Sequence, residues 1–369
     1  MYISLYHIFT WVFRLAFPFY SLRRIINSQM WKGVRLLVAP SVVFCDTANR
    51  QKESKKHIQV GSHQYVANRL IEDRIGHHQI GKYKFITVMD GHGGPQAAEY
   101  LTARLPKIFE SHSNAQHAKD ALRASFYAAD KEWFHLVHPA YMLGFTSPIK
   151  VGACALAIAI DESEITVASV GDCKCVVAFA DGTTKDLNIE RNANRREEQE
   201  RLRKLHPGEE DVVRCKRFDP VRLIHTACYV KGRLQPTKSF GDFHLKDSTV
   251  VMDHERGHAF LDPTTPKSFP YIDVDPDITV TSRTGKEKFM IAATDGLWDE
   301  FTSQEAASIV DTALSAGLTP EEAAIELVEA ALNVAAKHRG ISIAELKKLP
   351  QGSSRRSVHD DISVCVILV

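Results

Sequence analysis

An α+β layered domain is the fold class this sequence predicts, and three observations carry the prediction. Short apolar runs of strand length arrive in adjacent pairs, long helical segments stand apart from those runs, and glycine and proline punctuate the joins. A doubly wound sheet would instead alternate strand and helix along the chain. With 369 residues, 44% of them hydrophobic and 25% charged, the chain can bury a substantial core.

The first segment reads as separate from that core. Residues 1–45 contain Arg14, Arg23, Arg24, Lys32 and Arg35, while the first acidic residue is Asp46. Spaced arginines, no acids, and Ser and Thr among aromatics predict an organelle transit peptide of mitochondrial type. The rival is a membrane anchor touching the bilayer through residues 1–22, because residues 2–22 carry one full charge and approach spanning length; Arg14 and Pro18 weaken it. Residues 46–57 are polar and lack apolar periodicity, so they read as a linker, and the folded domain is 58–369.

Within the domain, strands are expected at 85–89, 154–160, 165–170, 175–180, 289–293 and 362–369. Residues 95–105 place Ala98, Leu101 and Leu105 at helical spacing behind Pro95 in the first turn. The segment 320–338 is the clearest helix: Thr319 and Glu322 form a capping box, Pro320 takes the first helical position, and Gly340 stops it. Thr302 and Glu305 offer a second capping box. The highly charged stretch 188–206, with Leu202 and Leu205 among its few apolar anchors, predicts a solvated helix ended by Pro207-Gly208.

Charge and cysteines exclude some functions. A net charge of +1 creates no field to attract nucleic acid, and no nucleic-acid partner is expected. Seven scattered cysteines, odd in number and without a C-x-x-C pair, argue for a reducing compartment and against a disulfide framework or a thiolate zinc site.

The chemistry lies in acids at strand ends. Asp90, Asp172 and Asp295 follow apolar runs and Asp360 precedes one, and glycine adjoins three of them as Asp90-Gly91, Gly171-Asp172 and Asp295-Gly296. Alone, each such pair is most often a turn. Together, clustered carboxylates repel unless protonated or bridged by cations, and hard ions such as Mg²⁺ or Mn²⁺ prefer oxygen donors.

Six motifs set these acids in context: Ile71-Glu72-Asp73, Val88-Met89-Asp90-Gly91-His92-Gly93-Gly94, Val170-Gly171-Asp172, Lys238-Ser239-Phe240-Gly241-Asp242, Ala293-Thr294-Asp295-Gly296-Leu297-Trp298-Asp299 and His359-Asp360-Asp361-Ile362-Ser363. In them the chain resembles the PPM, or protein phosphatase 2C, family over essentially all of 58–369. Asn68 with Glu72-Asp73-Arg74, Asn192 through His206-Pro207, and Pro270-Tyr271 followed by Asp275-Pro276-Asp277-Ile278-Thr279 resemble its pyruvate dehydrogenase phosphatase branch most.

The resemblance implies a central β-sandwich of two antiparallel sheets flanked by α-helices, in α-β-β-α layers, with two Mg²⁺ or Mn²⁺ ions between the sheets at one end. It implies that Asp90 bridges both ions, that the Gly91 carbonyl and Glu72 help hold one, and that Asp295 and Asp360 hold the other. Asp172 and Asp299, with Asp295, would define a weaker third site, and Asp73 would stand behind the ligands. The implied reaction is hydrolysis of phosphoserine or phosphothreonine by water held between the ions, with His92 as general acid for the departing oxygen. Phosphoproteins are the implied partners, a mitochondrial dehydrogenase subunit among them.

The chain also departs from the family pattern. Much of the family carries a phosphate-gripping arginine four residues before the metal-site glutamate, where this chain has Asn68; Arg69 and Arg74 are the nearby substitutes. The usual Gly-Ser-Thr-Ala strand entry is Gly152-Ala153-Cys154-Ala155, and Cys173 replaces the hydroxyl residue after Gly-Asp. A small buried hydrophobe is the expected role of those cysteines, with redox sensitivity the alternative. His254-Glu255-Arg256-Gly257-His258 matches the H-E-x-x-H zinc-protease pattern, but Gly257, Pro263 and Pro266 disfavour the helix it needs. Ser239 and His244 lack a G-x-S-x-G elbow. A catalytically silent binding module is the other alternative, opposed by the presence of Glu72, Asp90, Asp295 and Asp360.

Overall fold

The computed structural model describes residues 58–219, 224–251 and 268–369. The expected targeting segment, the linker and the H-E-x-x-H match lie outside these residues. In chain order the elements are β1 (Gln59–Tyr65), β2 (Arg74–Ile80), β3 (Tyr83–His92), α1 (Gln96–Ser113), α2 (Ala118–Met142), β4 (Gly152–Ile160), β5 (Glu164–Val170), β6 (Lys174–Phe179) and β7 (Thr184–Asp186). They continue with α3 (Arg196–Leu205), β8 (Val213–Asp219), β9 (Ile224–Val230), β10 (Phe240–Gly241), α4 (Ser248–Val251), β11 (Asp277–Ser282), β12 (Glu287–Ala293), α5 (Asp295–Trp298), α6 (Ser303–Ser315), α7 (Pro320–His338), α8 (Ile343–Lys348), α9 (Ser353–Arg356) and β13 (Ile362–Leu368).

One sheet runs β1-β13-β12-β6-β7 and the other β11-β5-β4-β3-β2, with β10 added beside β4; every pairing in both is antiparallel. The period of two along each strand sorts its side chains. In β4, Cys154, Leu156, Ile158 and Ile160 join Met290, Ala292, Cys365 and Ile367 of the other sheet in the core between them. The alternate residues Ala153, Ala155, Ala157 and Ala159 face α1 and α2, whose Leu101, Phe109, Leu122 and Phe126 fill the space that small residues leave. On the far side, Ile291, Ile362, Val364 and Val366 meet Leu327, Val328 and Leu332 of α7. Helix, sheet, sheet and helix are therefore stacked as the resemblance implied. Burial on both faces explains why the central strands read as continuous apolar runs.

Antiparallel pairing also positions the site. Asp90 at the end of β3 lies opposite Cys154 at the start of β4, and Val170 at the end of β5 lies opposite Ala155. In the other sheet Ala293 at the end of β12 pairs with both Val364 near the start of β13 and Lys174 at the start of β6. The strand ends carrying Asp90, Asp172, Asp295 and Asp360 thus fall at the same edge of their respective sheets.

Two expectations are corrected. Helix α3 begins only at Arg196, because Asn188 and Asn192 spend their side chains on non-helical partners: Asn188 accepts from Cys175 N–H and donates to Ser169 and the Cys173 carbonyl, and Asn192 donates to Asp172. Nor is this helix merely solvated, since Glu198 is buried against Arg191, Arg201 and Thr237. The cysteine count argues against a disulfide framework, yet one bond forms: Cys215 and Cys228 stand directly opposite on β8 and β9 with Cα atoms 3.9 Å apart and are bonded. Cys154, Cys173, Cys175 and Cys365 are free and buried. Among the described residues no helix is long and apolar enough to cross a membrane.

Candidate active site

The acids converge. One ligand atom from each of Asp90, Cys154 and Asp172 lies within 4.8 Å of the others. Asp90 feels the charges of Asp295, Asp73, Asp172 and Asp360, and burial together with that repulsion pushes its carboxyl, like those of Asp295 and Asp73, well above the usual range. Burial, opposed mainly by Arg356, also raises Glu72 and Asp360. Asp299, on the turn after α5, is pushed to about 6 by burial and by Asp172 and Asp360. A carboxylate-rich cluster held ionised only at a cost, with the Cys154 thiol beside it, is a donor set that fits hard divalent cations and is poorly explained as a set of turns.

Close backbone packing holds the cluster in shape. A Cβ at Gly91 would meet the Glu72 carbonyl at 2.5 Å, so the glycine lets the loop bearing Glu72 press against the end of β3. Asp361, buried beside Asp360, ties that loop down. One of its oxygens accepts from the backbone N–H groups of Ala67 (2.6 Å) and Asn68 (3.0 Å), the other from the Asn68 side chain (3.0 Å) and from Glu72 N–H (2.9 Å). Asp73 accepts from Thr294 just ahead of Asp295, which links the loop to the end of β12.

His92 closes β3 on the same side. Its Nε2–H donates to Asp242 Oδ2 at 2.6 Å, and the same oxygen accepts from Ser239 at 2.7 Å. Burial disfavours the imidazolium, but the Asp242 charge outweighs it and raises the His92 pKa. Asp242 sits in the left-handed backbone region at φ 51°, and a side chain at Gly152 would strike its carboxylate. Cys154 donates to Asp172 at 2.9 Å; burial and the neighbouring carboxylates push its thiol, and that of Cys173, well above the usual range, so both remain protonated.

The arginines divide unexpectedly. Arg74 spends its donors on the Ile71 and Asp73 carbonyls and on Glu99. Arg69 is exposed, with its stem over Gly352. The arginine whose charge acts on the cluster is Arg356 of α9, ion-paired with Asp360 and also influenced by Glu72, Asp295 and Asp90. The sequence motifs do not single out Arg356, which lies at the end of α9 while Asp360 lies beyond that helix. The motifs contain Asp242 and Asp361 but not the partners they bind.

Residues 47–340 match the family model described as Protein phosphatase 2C. The Arabidopsis thaliana protein named Probable protein phosphatase 2C 48 is 32% identical over 82% of this chain and 78% of its own length. Probable protein phosphatase 2C 38 of the same plant is 30% identical over 88% of this chain and 84% of its own. Among solved structures, a serine-threonine phosphatase 2C from Toxoplasma gondii superposes with a TM-score of 0.56 at 17% identity, covering 84% of this chain and 94% of that one.

Proposed function

Because this chain belongs to the protein phosphatase 2C family, and is thereby a metal-dependent protein serine/threonine phosphatase, we propose that the strand-end acid cluster is its catalytic centre. The observation that carries this is that antiparallel pairing gathers the strand ends that bear Asp90 and Asp172, and those that bear Asp295 and Asp360, with Asp90 and Asp172 ligand atoms within 4.8 Å and the four charges acting on one another. In this reading Asp90, Glu72 and the Gly91 carbonyl would hold one divalent cation, and Asp90, Asp295 and Asp360 would hold the second. Asp172 and Asp299, with Asp295, would supply a weaker third position. Two Mg²⁺ or Mn²⁺ ions there would acidify water and offset charge on the phosphoryl oxygens. The protein's own work is to fix these carboxylates and deliver a proton.

His92 donates that proton to the departing serine or threonine oxygen. Asp242 positions it: the 2.6 Å bond fixes the ring and favours the protonated form required of an acid. The test is Mn²⁺- or Mg²⁺-dependent hydrolysis of a phosphothreonine peptide, with Asp90→Asn as control. A folded, metal-loaded protein without activity would leave a silent binding module as the surviving reading.

We further propose that the substrate is a phosphorylated dehydrogenase subunit of the mitochondrial matrix. Asn68 with Glu72-Asp73-Arg74 and the acid-free residues 1–45 support this. Import of the tagged full-length chain into mitochondria and dephosphorylation of the matrix enzyme are the expected results. A protein found at a membrane surface would favour the anchor reading of residues 1–22, and one found in the cytosol would defeat both.

A further inference from the structure

Arg356 ends α9, a short helix tied to the loop that carries Glu72. Gly352 N–H donates to the Ala67 carbonyl at 2.7 Å, and Arg355 reaches the Val66 carbonyl at 2.9 Å. The two adjacent arginines are used differently. Arg355 directs its donors into the carbonyls of Val66, Lys347 and Leu349 and is a structural strut. Arg356 has Asp360 as its only side-chain hydrogen-bond partner among the described residues. A guanidinium carries five N–H donors in a planar fork, so most of the fork is uncommitted. The side chain is 47% exposed, which leaves it open to solvent while four site acids act on it from within.

A cation facing anions that themselves collect cations needs a reason to be there. Divalent ions on Asp360 and Asp90 would weaken the pull of those carboxylates on Arg356 while drawing a phosphoryl group toward the same spot. Planar forks match phosphate oxygens bidentately, which a lysine ammonium cannot do. We propose that Arg356 is the phosphate-gripping residue of this active site, its guanidinium taking two oxygens of the substrate phosphoryl group at the mouth of the acid cluster. The assignment rests on the phosphatase reading and supplies the anchor that Asn68 cannot, since the Asn68 amide is bound to Asp361.

The test compares the full-length manganese-loaded protein with Arg356→Gln and Arg356→Lys by calorimetric titration of inorganic phosphate and, separately, of manganese. Arg356→Gln is expected to weaken phosphate binding about ten- to hundredfold and raise KM for a phosphothreonine peptide, with the manganese midpoint within about twofold of wild type. Arg356→Lys should recover only part of the loss, because charge returns without the fork. Phosphate binding untouched in Arg356→Gln overturns the assignment. So does a parallel loss of manganese affinity, which would make Arg356 a positioning residue for Asp360. Loss of phosphate binding in Arg69→Gln alone would move the role to Arg69. A wild-type protein that binds manganese but hydrolyses no phosphopeptide defeats the phosphatase reading itself; that result is distinct from an active wild type with an unimpaired Arg356→Gln.

Discussion

His92 illustrates how much one residue's role depends on its neighbour. The motif around it was legible in the sequence, but its hydrogen bond to Asp242, 150 positions away, was not. If His92 protonates the leaving oxygen, His92→Gln should lower kcat for a phosphothreonine peptide by about 10²–10⁴. The loss should be much smaller for p-nitrophenyl phosphate, whose phenolate leaves without an acid. Equal losses on both substrates would mean that His92 does something other than proton transfer. Asp361 makes a parallel case. As asparagine it would turn one acceptor oxygen into a donor facing the Asn68 and Glu72 N–H groups. Asp361→Asn should therefore weaken manganese binding by about 10–100-fold without removing a ligand, as changes behind a metal's ligands commonly do. Unchanged metal affinity in a calorimetric titration would count against the clamp.

Elements divide by how clearly their signal survives in the chain. Buried central strands and capped helices were readable: the boxes at Thr302 and Thr319 both form, and β4, β5, β12 and β13 fall where apolar runs predict. Strands β2 and β11 are harder to read: in β2 the exposed His77, His78 and Gln79 stand together, and in β11 only Ile278 and Val280 are apolar, with Val280 itself exposed. Helix α2 had a usable signal in Leu122, Phe126, Trp133, Val137 and Tyr141, buried at helical spacings. Where α7 crosses β1, a side chain at Gly61 would collide with the backbone of Pro320 and Glu321. Gly61→Ala should destabilise the fold by about 1–3 kcal/mol in a denaturant melt, as overpacking does. A neutral result would mean that α7 can shift freely on its sheet. Beside the β8–β9 hairpin, Glu209 and Lys231 are both 1% exposed, with Ser268 and Tyr271 also bonded to Glu209. Burial would raise Glu209, but these partners hold it down to about 2. Its contribution is complete above the ordinary glutamate range and is lost as pH falls through about 2. Glu209→Gln should cost about 3–5 kcal/mol at neutral pH, because Lys231 is left buried with a weakened counter-charge.

The whole molecule carries the opposite pH dependence at its acid cluster. Asp90 and Asp295 are raised in the folded state, so their ionisation opposes folding, and that cost is relieved as pH falls toward their raised values. Metal-free protein should therefore melt higher at mildly acidic than at neutral pH. Asp295→Asn should stabilise metal-free protein by about 1–3 kcal/mol while reducing the rise in Tm on adding manganese. If calorimetry shows the wild-type melting temperature unmoved by manganese, the cluster does not bind the ion at the concentrations used, and its proposed role fails.

Taken alone, the chain determined its layered fold class, the strand ends that bear acids, and the family those acids belong to, because periodicity, caps and short motifs are local properties. Which charges meet was decided only in three dimensions. Antiparallel pairing brings residues as distant as Asn68 and Asp361, or His92 and Asp242, within hydrogen-bonding reach, and electrostatic work falls off with spatial separation whatever the distance along the chain. Hence the carboxylates could be named from their motifs, while the partners of His92 and Glu72, and the arginine that faces the cluster, emerged only when the sheets were stacked.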